Sequence, residues 1–179
     1  GSDAADLNFS WYSAGKGTPA VKVWKDGSKS SAKVVTGNAE AISAENWQGK
    51  SYSAANKVNI ADYFEENTQY HYQYTDNYTG DDSIWSAEYD YTTKATDKFS
   101  VILTGDPQVG ASGSSSDYSA NDASVARDAY NWNKTMQQAL KTCPDASFLL
   151  SAGDQINQSG ATKDNDKKTR ESEYAGYLY

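Results

Sequence analysis

Apolar and polar residues alternate in short runs through the first ninety positions, and the step changes to three and four only beyond residue 120. Asn8–Tyr12 sets Phe9 and Trp11 on one face. Ala20–Lys25, Lys33–Thr36 and Lys57–Ile60 repeat the pattern. Thr68–Tyr74 puts Tyr70, Tyr72 and Tyr74 on one side and His71 and Gln73 on the other, and Ile84–Tyr91 ends the series. Period-two alternation over four to eight residues is the mark of a half-buried strand. Gly15–Gly17, Asp26-Gly27, Gly37, Glu66-Asn67 and Gly80–Asp82 separate the runs, and Asp26-Gly27 is a hairpin signal. Residues 39–51 follow neither template.

Beyond a polar linker at Thr92–Lys98, the grammar changes. Phe99–Thr104 and Ala146–Ser151 are short apolar runs of strand formers. Between them Val125, Ala129, Trp132, Met136, Ala139 or Leu140, and Cys143 mark one face of a helix, which Pro144 ends. Strand, helix and strand of this length predict a crossover joining two parallel strands. The expected fold is therefore an all-β immunoglobulin- or fibronectin III-like sandwich over residues 1–97, from about seven short strands. The first β-α-β part of an α/β domain follows over 98–179.

Composition narrows the partners. The 179 residues carry a net charge of −8, which argues against nucleic acid and anionic membrane surfaces. No apolar run approaches the roughly 20 residues a membrane-spanning helix needs. Hydrophobic residues make up only 37%, but 14 Tyr and 5 Trp supply core area, which suits sheet packing better than disorder. One Cys rules out an internal disulfide, and its place on the helix face predicts a buried small hydrophobe. The polar, acidic, cysteine-poor character suggests a secreted or cell-surface bacterial protein.

The chemistry is concentrated at two strand ends. Gly105-Asp106-Pro107-Gln108 follows the first apolar run, and Ala152-Gly153-Asp154-Gln155 follows the second. Neighbouring strands lie roughly 4.8 Å apart, so Asp106 and Asp154 would emerge side by side at the carboxyl edge, where open α/β sheets place ligands. Two close carboxylates repel unless a proton or a cation lies between them, and a hard divalent cation favours oxygen donors. The plainer alternative is a pair of ordinary loop aspartates beside turn glycines.

Gly105-Asp106-Pro107-Gln108, a helix, and Gly153-Asp154-Gln155 resemble the first two motif blocks of calcineurin-like metallophosphoesterases. The resemblance implies that Asp106 ligates one metal and that Asp154 bridges two, in a dinuclear centre of iron, manganese or zinc acting on a phosphate ester. Gln108 stands where that family usually has His, so a neutral amide oxygen replaces an imidazole. Asn157 stands where purple acid phosphatases have the Tyr that ligates ferric iron. The first half is similar to the domain that precedes the catalytic domain in purple-acid-phosphatase-like proteins. Trp11, the run Asn67-Thr68-Gln69-Tyr70-His71-Tyr72, and Trp85–Thr93 with Tyr91 carry that likeness. The family's later blocks, Gly-Asn-His-Asp/Glu and Gly-His-x-His, do not occur in the 179 residues. The resemblance therefore implies that the chain is inactive alone. It also implies that residues 99–179 need the rest of the domain, another copy, or a partner to cover them. The rival expectation is a cell-surface binding or interaction module with a non-catalytic metallophosphoesterase remnant.

Several features carry a bland expectation. The Tyr70–Tyr74 stripe reads as core packing on an inward strand face, and His71, the only His, as a strand surface residue. Gly110–Asn121 reads equally as a site rim or a connector. Lys163–Lys168 reads as a solvated mixed-charge turn.

Overall fold

The computed structural model describes residues 5–47, 50–112, 122–157 and 170–178. Most of the expected rim loop and the whole Lys163–Lys168 run lie outside them. The chain divides into two compact units, one of residues 1–42 and 52–99, the other of residues 43–51 and 100–179. The structure is mostly strand, and its larger sheets are antiparallel.

β1 (Leu7–Ser13), β5 (Lys50–Ile60) and β4 (Asn38–Trp47) form one sheet in the order β1-β5-β4. The other sheet runs β3-β2-β6-β7, from β3 (Lys33–Thr36), β2 (Ala20–Lys25), β6 (Gln69–Thr75) and β7 (Tyr89–Thr92). The pleat turns alternate residues inward, and the two inner faces meet in a core of Val21, Val23, Val58, Ile60, Phe64 and Tyr70. Each such aliphatic residue contributes roughly 1.5–3 kcal/mol by burial. The Tyr stripe faces this core as expected. Tyr70 is buried, Tyr72 packs on Phe9 with ring centroids 5.2 Å apart, and Tyr74 packs on Trp11 at 5.1 Å. The Tyr70 hydroxyl accepts the Glu65 N–H at 2.9 Å and donates to the Tyr63 carbonyl at 3.4 Å. It thereby ties β6 to the corner just upstream, an arrangement known from immunoglobulin-type sheets.

Three strand expectations change. Within residues 39–51, which matched no template, 39–47 belong to β4 and 50–51 to the start of β5. β5 begins at Lys50 rather than Lys57, because Ala54 and Asn56 continue the inward file of Val58 and Ile60 with small or polar side chains. The last strand covers Tyr89–Thr92 rather than Ile84–Tyr91. Ser86 N–H still bonds the Tyr74 carbonyl at 2.8 Å, but the Tyr74 N–H goes to Ser86 Oγ at 3.0 Å, so a side chain replaces one of the two backbone acceptors there.

In the second unit, β8 (Ser100–Thr104) and β9 (Ala146–Ser151) pair in parallel, with α1 (Asp122–Thr142) between them in the chain. α2 (Arg170–Tyr177) packs on α1. The small core is Val109, Val125, Ala129 and Ile156. A Cβ on Gly176 would come within 2.9 Å of Val125, 3.2 Å of Val109 and 3.3 Å of Ala129, so only glycine lets α2 approach this closely. Trp132 stacks on Tyr177 at 5.3 Å and donates its indole N–H to the Tyr177 carbonyl at 3.0 Å.

Parallel strands are ordinarily covered on both faces. Here Leu103 is 69%, Phe148 48% and Leu150 53% exposed, so one face of the β8–β9 pair carries an open apolar patch. The expectation for Cys143 is corrected by the same openness. It lies just past the end of α1, half-exposed, and lines an open groove of about 670 Å³ with Ile102, Leu103 and Ala139.

Candidate metal centre

Backbone hydrogen bonds bring the two loops together. Thr104 pairs with Ser151 at the end of the parallel ladder. The Ala152 N–H then bonds the Thr104 carbonyl at 2.7 Å, and Asp106 N–H bonds Gly153 at 3.1 Å. Gln108 N–H bonds the Asp154 carbonyl at 2.8 Å, Val109 N–H bonds Gln155 at 3.1 Å, and Asn157 N–H returns to Val109 at 3.1 Å. The strands have ended, yet the pairing continues, and Val109 and Ile156 form a further parallel bridge. Both of these side chains are buried and anchor the loops from below.

All three candidate residues adopt the left-handed backbone region. Asp106 has φ 59°, Gln108 37° and Asp154 50°, while Gly153 sits at 115°, which suits glycine. Asp tolerates this region through its short polar side chain, but Gln has no such excuse. Backbone held in sparsely populated regions costs on the order of 1 kcal/mol or more per residue and clusters at functional sites. The side chains of Asp106 and Asp154 lie on exposed residues, and Gln108 is half-exposed.

Asp128 on α1 is a contributor that pattern reading missed. Its Oδ2 accepts the N–H of Gly110 at 2.9 Å and of Ser112 at 3.0 Å, pinning the chain just after Gln108. Arg127 holds the same turn through the Ser112 hydroxyl at 3.1 Å. The available signal was an acidic residue one position from the apolar Ala129, inside a helix that starts after a serine-rich loop. A recess of about 320 Å³ opens here between Gly105, Pro107, Asp128, Asn131, Trp132 and Thr135.

The donor set is small. Among the described residues, no three His, Cys, Asp or Glu side chains are grouped so as to hold a metal ion. Two carboxylates and one amide suit part of the shell of one hard cation, which takes about six oxygen donors. They do not suit a dinuclear centre by themselves. No family model matches the chain, and no curated protein sequence matches it.

Proposed function

We propose that the chain carries the opening part of an exported bacterial metallophosphoesterase. A fibronectin III-like sandwich over residues 1–97 would precede the first β-α-β part of a calcineurin-like domain over 98–179. What supports this most is the continuous hydrogen-bonded register of Thr104–Val109 with Ser151–Asn157. It sets Asp106 and Asp154 on adjoining backbones at the carboxyl edge of a parallel pair. The left-handed backbone at Asp106, Gln108 and Asp154 adds to it.

Asp106 and Gln108 would hold one ion of iron, manganese or zinc, and Asp154 would be shared with a second. Metals of this kind, when bound, turn water into a hydroxide nucleophile near neutral pH. The residues present do the earlier work. They hold the Asp106 and Asp154 backbones side by side and, through Asp128, hold the chain just after Gln108. The remaining ligands would come from the rest of the domain, another copy or a partner. The phosphate ester is therefore a substrate of the assembled enzyme and not of these 179 residues.

Isothermal titration with manganese or zinc tests the reading. Weak binding to the chain, lost in Asp154→Asn, is the expected result, and binding should tighten in a chain extended by the histidine blocks. Equal heats for the chain and Asp154→Asn would overturn the site. Robust hydrolysis of a chromogenic phosphate ester by the 179-residue chain would overturn its incompleteness.

A second reading is a cell-surface binding module whose α/β part is a non-catalytic remnant. The exposure of both carboxylates favours it, as does the lack of a third charged ligand among the described residues. The extended chain separates the two, because a remnant gains no affinity.

A further inference from the structure

His71 lies on the outer face of the β3-β2-β6-β7 sheet, its side chain only 15% exposed. Its ring stacks on Trp24 of β2, with centroids 5.9 Å apart and planes 21° from parallel. Nδ1 lies 2.7 Å from Asp90 Oδ1 on β7, and Nε2 lies 3.0 Å from Asp26 Oδ1 in the turn after β2. Glu88, just before β7, is 3.4 Å from Nδ1. Lys29, from the short helical turn Lys29–Ser31, pairs with Glu88 at 2.7 Å and lies 4.9 Å over the Trp24 ring. The expectation of a plain strand surface residue gave no hint of this cluster, because its members are distant in the chain.

The protonation state follows from geometry. A neutral imidazole has one N–H and can donate to one carboxylate, while the other nitrogen turns a lone pair toward the second. Only the imidazolium donates from both nitrogens. Both carboxylates are within hydrogen-bond reach, so the arrangement is satisfied only by the cation.

We propose that His71 is a pH-operated latch. Protonated, it ties β7 and the turn after β2 to β6, and neutral, it releases one of them. β7 is a four-residue edge strand whose aromatic contacts, Tyr89 on Tyr72 and Tyr74 and Tyr91 on Phe64, all lie on the inner face, so on the outer face it is fastened by the His71 cluster. Its flanks are fastened independently. Ser86 N–H bonds the Tyr74 carbonyl at 2.8 Å, and Thr93 N–H bonds the Thr68 carbonyl at 3.0 Å. The latch therefore governs the stretch between, residues 88–91.

The sign is fixed by linkage. The hydrogen bond that His71 donates to the Asp26 carboxylate raises its pKa above the ordinary value. Partial burial opposes this, and Asp90 reinforces it. A group with a raised folded pKa contributes in full below its unfolded value, about 6.5, and loses that contribution as pH climbs through the folded value. The latch is closed in mildly acidic medium and opens toward alkaline pH.

Because the chain has one His, its imidazole proton signals are directly assignable by NMR. The titration midpoint of the chain is expected above the ordinary value, and lower in both Asp26→Asn and Asp90→Asn. Amide exchange, corrected for the intrinsic pH dependence, is expected to show a several-fold loss of protection at residues 88–91 above the midpoint. Thr93 should keep its protection, and His71→Gln should lose the pH step. A midpoint at or below the ordinary value would overturn the latch. So would unchanged protection at 88–91 across the midpoint in the unsubstituted chain, a measurement that does not depend on any variant folding.

Discussion

Gln108 offers a direct way to ask whether the strand-end loops are kept for function or for stability. At φ 37° it sits where an L side chain crowds its own backbone, at a cost of about 1–2 kcal/mol. Glycine removes that cost but loses about 0.5–1 kcal/mol more backbone entropy on folding. The N–H that bonds the Asp154 carbonyl at 2.8 Å is kept in either case. Gln108→Gly should therefore stabilise the second unit by about 0.5–1 kcal/mol, whereas Gln108→Ala keeps the strain and should gain nothing. The readout is native-state exchange of the Ala152 amide, which bonds the Thr104 carbonyl at the end of the ladder. Its protection should rise roughly two- to five-fold in the glycine variant. Manganese affinity should fall in the same variant, since the amide oxygen is gone. If glycine leaves protection unchanged or lowers it while alanine matches the parent, the strain argument fails.

Tyr70→Phe removes the hydroxyl that accepts the Glu65 N–H, and should cost about 1–2 kcal/mol in a urea melt of the sandwich. An unchanged midpoint would show that the corner bond contributes nothing. Gly37→Ala would bring a Cβ to within 1.9 Å of the Lys57 carbonyl oxygen, and should destabilise by about 3 kcal/mol, read as a depressed Tm. Leu103→Lys combined with Phe148→Ser changes two open apolar positions. Stability should stay within about 0.5 kcal/mol, while light scattering falls as the chain self-associates less.

Where large apolar side chains alternate, local pattern and fold agree. β2 and β3 occupy the residues their alternation marks, with Val21, Val23 and Val35 turned to the core, and β9 occupies its apolar run. β4 and the front of β5 were silent, since Ala, Ser and Asn fill their positions and hydropathy cannot separate in from out. The Ile84–Tyr91 run misleads for the opposite reason. Its aromatics alternate well, but Ser86 captures a backbone donor, a choice invisible in the pattern. At the candidate site, the Gly-Asp pairs at two strand ends were legible as turn chemistry. Gln108 in the left-handed region and Asp128 beneath the loop were not, for both depend on a partner far along the chain. The His71 cluster is the extreme case, with Asp26 and Asp90 lying 45 and 19 residues away.

The bonds that run from residues 104–109 to 151–157 make the two strand-end segments one mechanical piece. Adding or deleting a residue in either would slide every donor past its acceptor in the other. Neither segment can then be transplanted or randomised in length alone. A library meant to retune this rim should hold both lengths fixed and vary only the outward side chains, or change the two segments in step.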